Sequence, residues 1–287
     1  MRAFPEYSNE SPRFWSLVRF VSESLKYSDR KSNKVRSYTV DEIRNELNKE
    51  GINASEEDIS KATDYLNKRA DLLNNEVSNL LMDVDEARQV FESLYEIYKN
   101  EGYSSKLPMN KQSKEMKQIN YFTAIINILA EKTIRDMDFS SGEMYIDDPQ
   151  QLVYVVDDEN SIVSSTSRRY DGVYPSRINP LIVWEIKEYY YATTFGSRIA
   201  DGVYETQLDG YEFNEIEKET GRHIEHVFFI DSHRTWWVKG KSYLCRIIDA
   251  LNRGLVDEVI FGSEVLERWP ELLKQVVEQE SENKPKP

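Results

Sequence analysis

The chain has 287 residues, 39% of them hydrophobic, 12% aromatic and 31% charged, with a formal net charge of −14. That balance excludes a disordered or fibrous chain and supplies apolar material for one large core or two modest ones. No apolar run approaches the roughly 20 residues needed to span a bilayer, the opening MRAFPEYSNESPRFW lacks a signal-peptide pattern, and the single Cys245 leaves no internal disulfide, so a cytoplasmic protein without membrane contact is expected.

Phe14, Trp15, Leu17, Val18, Val21 and Leu25 recur at helical spacing and predict a core-facing helix from Ser11 to about Tyr27. A basic segment follows, bearing Lys26, Arg30, Lys31, Lys34 and Arg36. Thr39 with Glu42 makes a capping box for a short helix through Ile43 and Leu47 that stops at Gly51. Ser55 and Asp58 open a longer helix with Ile59, Ala62, Leu66 and Leu73 on one stripe. Two capped helices across a Gly-Ile-Asn turn have a helix-turn-helix or winged-helix-like pattern. One reading places Lys61, Lys68 and Arg69 of the second helix in a DNA groove. The other is a plain packing hairpin, since the same helix carries Glu56, Glu57, Asp58, Asp64 and Asp71.

A further amphipathic helix, about Val84 to Tyr98, leads into Gly102 and a polar linker with Lys106, Lys111, Lys114 and Lys117. The expected division is therefore a mainly helical, winged-helix-like DNA-recognition unit over 1–108 and a second unit over 109–287. The second opens with a helix from about Lys117 to Arg135. Strands are predicted at Leu152 to Val156, Arg168 to Val173, Leu181 to Lys187, His226 to Ile230 and Val256 to Phe261. Helices are expected near Arg198 to Glu219, Lys241 to Arg253 and Glu264 to Glu278, giving a mixed α/β architecture with a hairpin-bearing sheet covered by helices.

The chemistry concentrates in SRRYDGVYPSRINPLIVWEIKEYY. Leu181, Ile182, Val183 and Trp184 make a buried-strand run that ends in Glu185-Ile186-Lys187. Alternation puts Glu185 and Lys187 on one face of that strand, and charges at the end of a buried strand require partners. Asp171 lies 14 positions before Glu185, across a turn flagged by Pro175, Asn179 and Pro180. A hairpin would bring the two carboxylates together. Their repulsion is relieved by a hard divalent cation, with the Ile186 carbonyl as a further oxygen ligand.

At these residues the sequence resembles the PD-(D/E)xK nuclease superfamily, with its restriction-endonuclease-like fold. Asp171 matches the first acid and Glu185-Ile186-Lys187 the (D/E)-x-K half, while Tyr170 stands where the motif name has proline. Glu131 lies in the preceding helix, where the family often places an acid. Gln207-Leu208-Asp209-Gly210-Tyr211 resembles the Gln-x-x-x-Tyr motif of the RecB-like branch. The resemblance implies a Mg²⁺-dependent DNA endonuclease, with Mn²⁺ as a substitute. Asp171, Glu185 and the Ile186 carbonyl would hold metal, Lys187 would position water, and Glu131, Gln207 and Tyr211 would support the site. It also implies a homodimer on double-stranded DNA, as in restriction or other anti-phage enzymes. A nuclease subunit targeted by repair or mobile-element partners and a non-catalytic DNA-binding regulator remain open.

The net charge opposes nucleic-acid binding, although screening leaves local basic clusters, including Arg168 and Arg169, free to contact phosphate or to serve as plain surface. His223 and His226, at H-x-x-H spacing with no third ligand close by, are expected to be structural, while His233 in DSHRTWW has two readings, an approach to substrate and a plain loop after a strand. Neither phosphate-cradling glycine motif occurs, so no nucleotide cofactor is expected.

Overall fold

Local capping sets the helix starts in the first third of the chain. Ser11 Oγ accepts from Phe14 N (3.2 Å) at the head of α1, Pro12–Leu25. The capping box forms at α2, Val40–Lys49, where Thr39 Oγ1 accepts from Glu42 N (3.2 Å) and Glu42 accepts from Thr39 N (2.9 Å). Ser55 Oγ accepts from Asp58 N (3.1 Å) at α3, Glu56–Leu72, which continues through a wider turn at Leu73–Val77 into the short α4, Ser78–Leu80. Between α1 and α2 a two-stranded ribbon pairs β1, Ser28–Asp29, with β2, Lys34–Val35. The computed structural model describes residues 1–29, 31–109, 118–137, 146–147, 152–191 and 197–283. Arg30, Lys111, Lys114 and Lys117 of the basic clusters lie outside these described residues.

The ribbon precedes the helix pair, and one face of α3 is buried. Ile59, Ala62, Tyr65 and Leu66 pack with Ile43, Leu47 and the α1 residues Phe14, Trp15 and Val18. Lys61 pairs with Glu10 and Lys68 with Glu6, while Arg69 is fully buried on Asp249. The reading that places Arg69 in a DNA groove is corrected on that ground, because Arg69 cannot leave the interior without stranding a buried carboxylate, while Lys61 and Lys68 stay on the surface in exposed ion pairs.

The helix expected to close the first unit, α5, Val84–Asn100, packs with the second. Its Ala87 and Phe91 share one apolar cluster with α6, Tyr121–Asp136, with α9, Val265–Asn283, and with one face of the main sheet. That sheet has the order β3-β6-β7-β8-β9, from Ile146–Asp147, Gly172–Tyr174, Ile182–Glu188, Glu225–Asp231 and Glu258–Phe261. β6 and β7 are antiparallel, whereas β7, β8 and β9 run parallel. Alternation assigns the two faces: Trp184, Phe229 and Ile260 meet α5, α6 and α9, while Phe228, Ile230, Val259 and Phe261 meet the opposite layer of α7, Ser197–Thr220, and α8, Lys241–Asn252. The same opposite cluster takes in Ala70, Leu73 and Val77, so the N-terminal helices and the sheet share a core. No helix among the described residues is long and apolar enough to cross a membrane.

The strand expected over Arg168 to Val173 divides in two. Its first part belongs to β5, Ile162–Arg169, which pairs in a separate ribbon with β4, Leu152–Val156. Its last part is β6. The chain changes sheets at Tyr170 and Asp171, where the buried Tyr170 ring packs 5.5 Å from Phe213 of α7. Gly172 makes the changeover fit, because a Cβ there would lie 2.0 Å from the Trp184 ring.

Candidate active site

β7 carries its charged end past the last residue paired with β6. Gly172 is opposite Trp184, so Glu185 to Glu188 have no β6 partner, and the edge is taken over by Asp171. Ile186 N donates to Asp171 Oδ2 (2.7 Å). A strand residue directs its N–H and C=O to the same neighbour, so the Ile186 carbonyl faces the Asp171 edge as well. Asp171, Glu185, Ile186, Lys187 and Glu188 together line a cleft of about 400 Å³, closed on the α6 side by Asn120, Thr123 and Asn127.

Glu185 is 4% exposed, and its Oε1 receives both Arg168 (2.9 Å) and Lys187 (2.5 Å). Lys187 also reaches Glu205 (3.2 Å), while Arg168 spans to Asp209 (2.7 Å) and Glu205 (3.4 Å). Asp171 Oδ1 and Glu185 Oε2 accept no hydrogen bond from any described residue. Each acid thus has one oxygen fixed by protein and one without a donor among the described residues. Burial, and next the charge of Glu185, push Asp171 up to about 7. Burial by itself would lower Lys187, but Glu185, Tyr189 and Glu205 outweigh it and hold the ammonium above its ordinary range. Gly202 of α7 lets the helix approach this lysine, since a Cβ there would stand 3.0 Å from Lys187 Cε.

On the other face of β7, Glu188 accepts from Thr123 N and Oγ1 (both 3.0 Å), and its second oxygen is buried without a partner. Burial pushes Glu188 up to about 7. Asp209 is likewise raised to about 7 by burial, against the pull of Arg168.

The structure brings Asp171, Glu185, Ile186 and Lys187 together and places the three supporting residues elsewhere. Glu131 accepts from Ser104 N (2.9 and 2.8 Å), Ser105 N (2.6 Å) and Arg135 (2.5 Å), so its carboxylate is spent on pinning the segment after α5. Those donors outweigh its burial and lower its pKa. Gln207 lies with Tyr204, Arg246 and Arg253 in a groove against α8, and the half-exposed Tyr211 accepts from Arg253 (2.6 Å). Helical phase is the reason. Gly202, Thr206, Asp209 and Phe213 form the inward stripe of α7, and 207 and 211 fall off it. Glu205 and Asp209, four apart, occupy the positions facing the site. Arg168 serves Glu185 and Asp209 rather than an exposed phosphate contact.

His226 and His223 are both engaged by protein groups. His226 is buried, with Nδ1 on Leu255 O (3.0 Å), and His223 sits among Glu217 (3.1 Å), Glu225 (3.6 Å) and Asp257 (3.6 Å). His223, Glu225 and Asp257 are close enough to share an ion, but their charges already pair with one another and with Arg2.

A layered α/β protein with a charged cleft at the ends of its parallel strands is what fold and site define together. The chain belongs to the family described as "Domain of unknown function (DUF7687)", whose model matches residues 82–276. A second model, "Domain of unknown function (DUF7690)", matches residues 1–76. No curated protein and no solved structure matches the chain.

Proposed function

We propose that this chain is a metal-dependent nuclease of the PD-(D/E)xK type acting on double-stranded DNA. One observation carries the reading: Asp171 and Glu185, at the hairpin positions the motif requires, line one cleft with Lys187 and each keep one oxygen without a donor among the described residues. The order of a helix, a hairpin bearing the acids, a second helix and a parallel strand supports a restriction-endonuclease-like core.

The donor set fits Mg²⁺, or Mn²⁺ in its place: two carboxylates and the Ile186 carbonyl are hard oxygen ligands, and the nearby cations leave negative charge in excess. Arg168 and Lys187 face Asp171, Glu185, Glu205 and Asp209, so two positive charges meet four acidic groups. When bound, such an ion polarises a phosphoryl oxygen and lowers the pKa of bound water. Asp171 is aimed by the Ile186 amide and Glu185 by Arg168, so neither must reorganise during the reaction. Lys187 stays protonated at neutral pH, and its role is to donate to a phosphate oxygen or an oriented water rather than to remove a proton.

The test is incubation of the full chain with supercoiled plasmid and phage DNA in Mg²⁺ and in chelator. Cleavage confined to Mg²⁺ or Mn²⁺, lowered at least about a hundredfold in Asp171→Ala and Lys187→Ala, is expected. Equal activity in the variants, or none in the wild type, refutes the proposal. Discrete fragments identify a site-specific restriction enzyme, and a smear an unspecific or partner-targeted one. A homodimer, which the resemblance implies for cutting both strands, is read by light scattering.

A further inference from the structure

The ribbon β1–β2 borders a cleft of about 1140 Å³, and within this acidic chain lysines predominate in its lining. Lys26, Lys31, Lys34 and Arg36 line it against two carboxylates, Asp29 and Asp71. Asp29 accepts from Lys31 N (3.0 Å) and Ser32 N (3.1 Å) at the ribbon turn and Asp71 accepts from Asn75 (2.6 Å), neutral donors that leave both charges in place. Arg36 is paired with Glu42, so the three lysines set against the two acids leave a small positive excess. The three lysines are exposed and form no ion pair with any described residue, unlike Lys61 and Lys68 of the adjoining helix. Polar groups on Ser28, Ser32, Asn75 and Ser242 complete a lining suited to phosphate oxygens.

The ribbon is held firmly. Asn74 clamps Val35 from both sides, its Oδ1 accepting from Val35 N and its Nδ2 donating to Val35 O (both 2.9 Å). Lys241 donates to Asn33 Oδ1 (2.8 Å) at the turn. The apolar side chains of Tyr27 and Val35 belong to the cluster that contains Tyr189, Trp236 and Trp237, the residues that follow β7 and β8. Tyr189 also lines the acidic cleft, and Trp236 Nε1 donates to Lys187 O (3.3 Å). The basic ribbon is therefore built on the same segments that close the candidate active site. The backbone that carries the lysines is therefore fixed, and only their exposed side chains remain to be ordered on meeting a phosphate.

We infer that the cleft beside β1–β2 docks the sugar-phosphate backbone of duplex DNA, with Lys26, Lys31 and Lys34 as the phosphate contacts. The choice of DNA rests on the nuclease proposal, whereas the backbone chemistry rests on the charge complementarity of the cleft. Contacts of this kind position the substrate and do not read its sequence.

The experiment measures binding of the full-length protein to a labelled duplex in chelator, over a series of salt concentrations. It compares the wild type, the triple variant Lys26→Gln/Lys31→Gln/Lys34→Gln, and a control with Lys218→Gln/Lys274→Gln, exposed lysines outside this cleft. The triple variant is expected to bind at least about tenfold more weakly, with the salt slope of log affinity reduced by roughly 2 to 3, while the control behaves as wild type. Wild-type binding and slope in the triple variant overturn the inference, as does failure of the wild type to bind duplex DNA in low salt. Tighter binding of duplex RNA than of DNA overturns the choice of substrate. Because binding is read in chelator, its outcome is independent of cleavage. A ribbon-dependent binder that never cuts sinks the nuclease proposal alone, and a cutter indifferent to the three lysines sinks this inference alone.

Discussion

Replacing Arg69 by Met tests how the N-terminal helices are tied to the sheet. Arg69 is fully buried, with its Nη1 on both oxygens of Asp249 (2.8 Å each) and its Nη2 on Ser22 (3.0 Å), between the rings of Tyr27 and Tyr65. Met fills much of the stem but leaves Asp249, 8% exposed, without its cation. Removing one partner of a buried pair costs about 3–5 kcal/mol. The Tyr65 hydroxyl, which still donates to Asp249 at 2.7 Å, places the expected loss near the lower end. With a urea slope of about 3 kcal/mol per molar for a chain of this size, the unfolding midpoint should fall by about 1 M. The double variant Arg69→Met/Asp249→Leu removes both charges and should recover at least about 1 kcal/mol relative to Arg69→Met alone. A midpoint shift under about 0.3 M in the single variant, or a double variant as unstable as the sum of the singles, refutes the reasoning.

Three further outcomes follow from particular contacts. Gly172→Ala drives a methyl into the Trp184 ring and should cost about 1–3 kcal/mol in urea unfolding, and under the nuclease proposal it should also lower cleavage because Asp171 is adjacent. Glu131→Gln should lower stability by about 1–3 kcal/mol through the Ser104 and Ser105 amides, while Gln207→Ala and Tyr211→Ala change plasmid cleavage per folded molecule by less than about twofold. His226, buried against Phe213, is lowered to about 4, chiefly by desolvation. The unfolded chain therefore binds a proton near pH 6.5 that the folded chain refuses until about 4, so this residue's stabilising contribution is complete above 6.5 and declines as pH falls to about 4. Its size is on the order of 3 kcal/mol. His226→Gln should flatten that part of the stability profile, and an unchanged profile contradicts the assignment.

Signals carried by neighbouring residues were legible in the sequence. The caps at Thr39 and Ser55 act over three positions, and the Glu185–Lys187 pair follows from strand alternation, so both could be read without knowing the tertiary fold. What depended on phase or distant packing was not. The interval between Gln207 and Tyr211 is the same as that between Glu205 and Asp209, and only the depth of Gly202, Thr206 and Phe213 decides which pair faces the site. Arg69 looked like a surface cation on an acidic helix because its partner, Asp249, is 180 residues away. Glu131 sat on the expected helix with Arg135 four residues on, but its backbone donors, Ser104 and Ser105, come from the segment after α5, whose fold the sequence did not reveal. Glu188, beside Lys187, was recoverable: the same alternation that pairs 185 with 187 sends it to the α6 face.

The most direct test of the metal assignment is Mn²⁺ binding followed by electron paramagnetic resonance in the wild type and in Asp171→Ala, with circular dichroism to confirm the fold. Binding that requires Asp171 and is equally weakened by Glu185→Gln is the expected result. Undiminished Mn²⁺ uptake by both folded variants, or none by the wild type, would contradict a cation held between these two carboxylates.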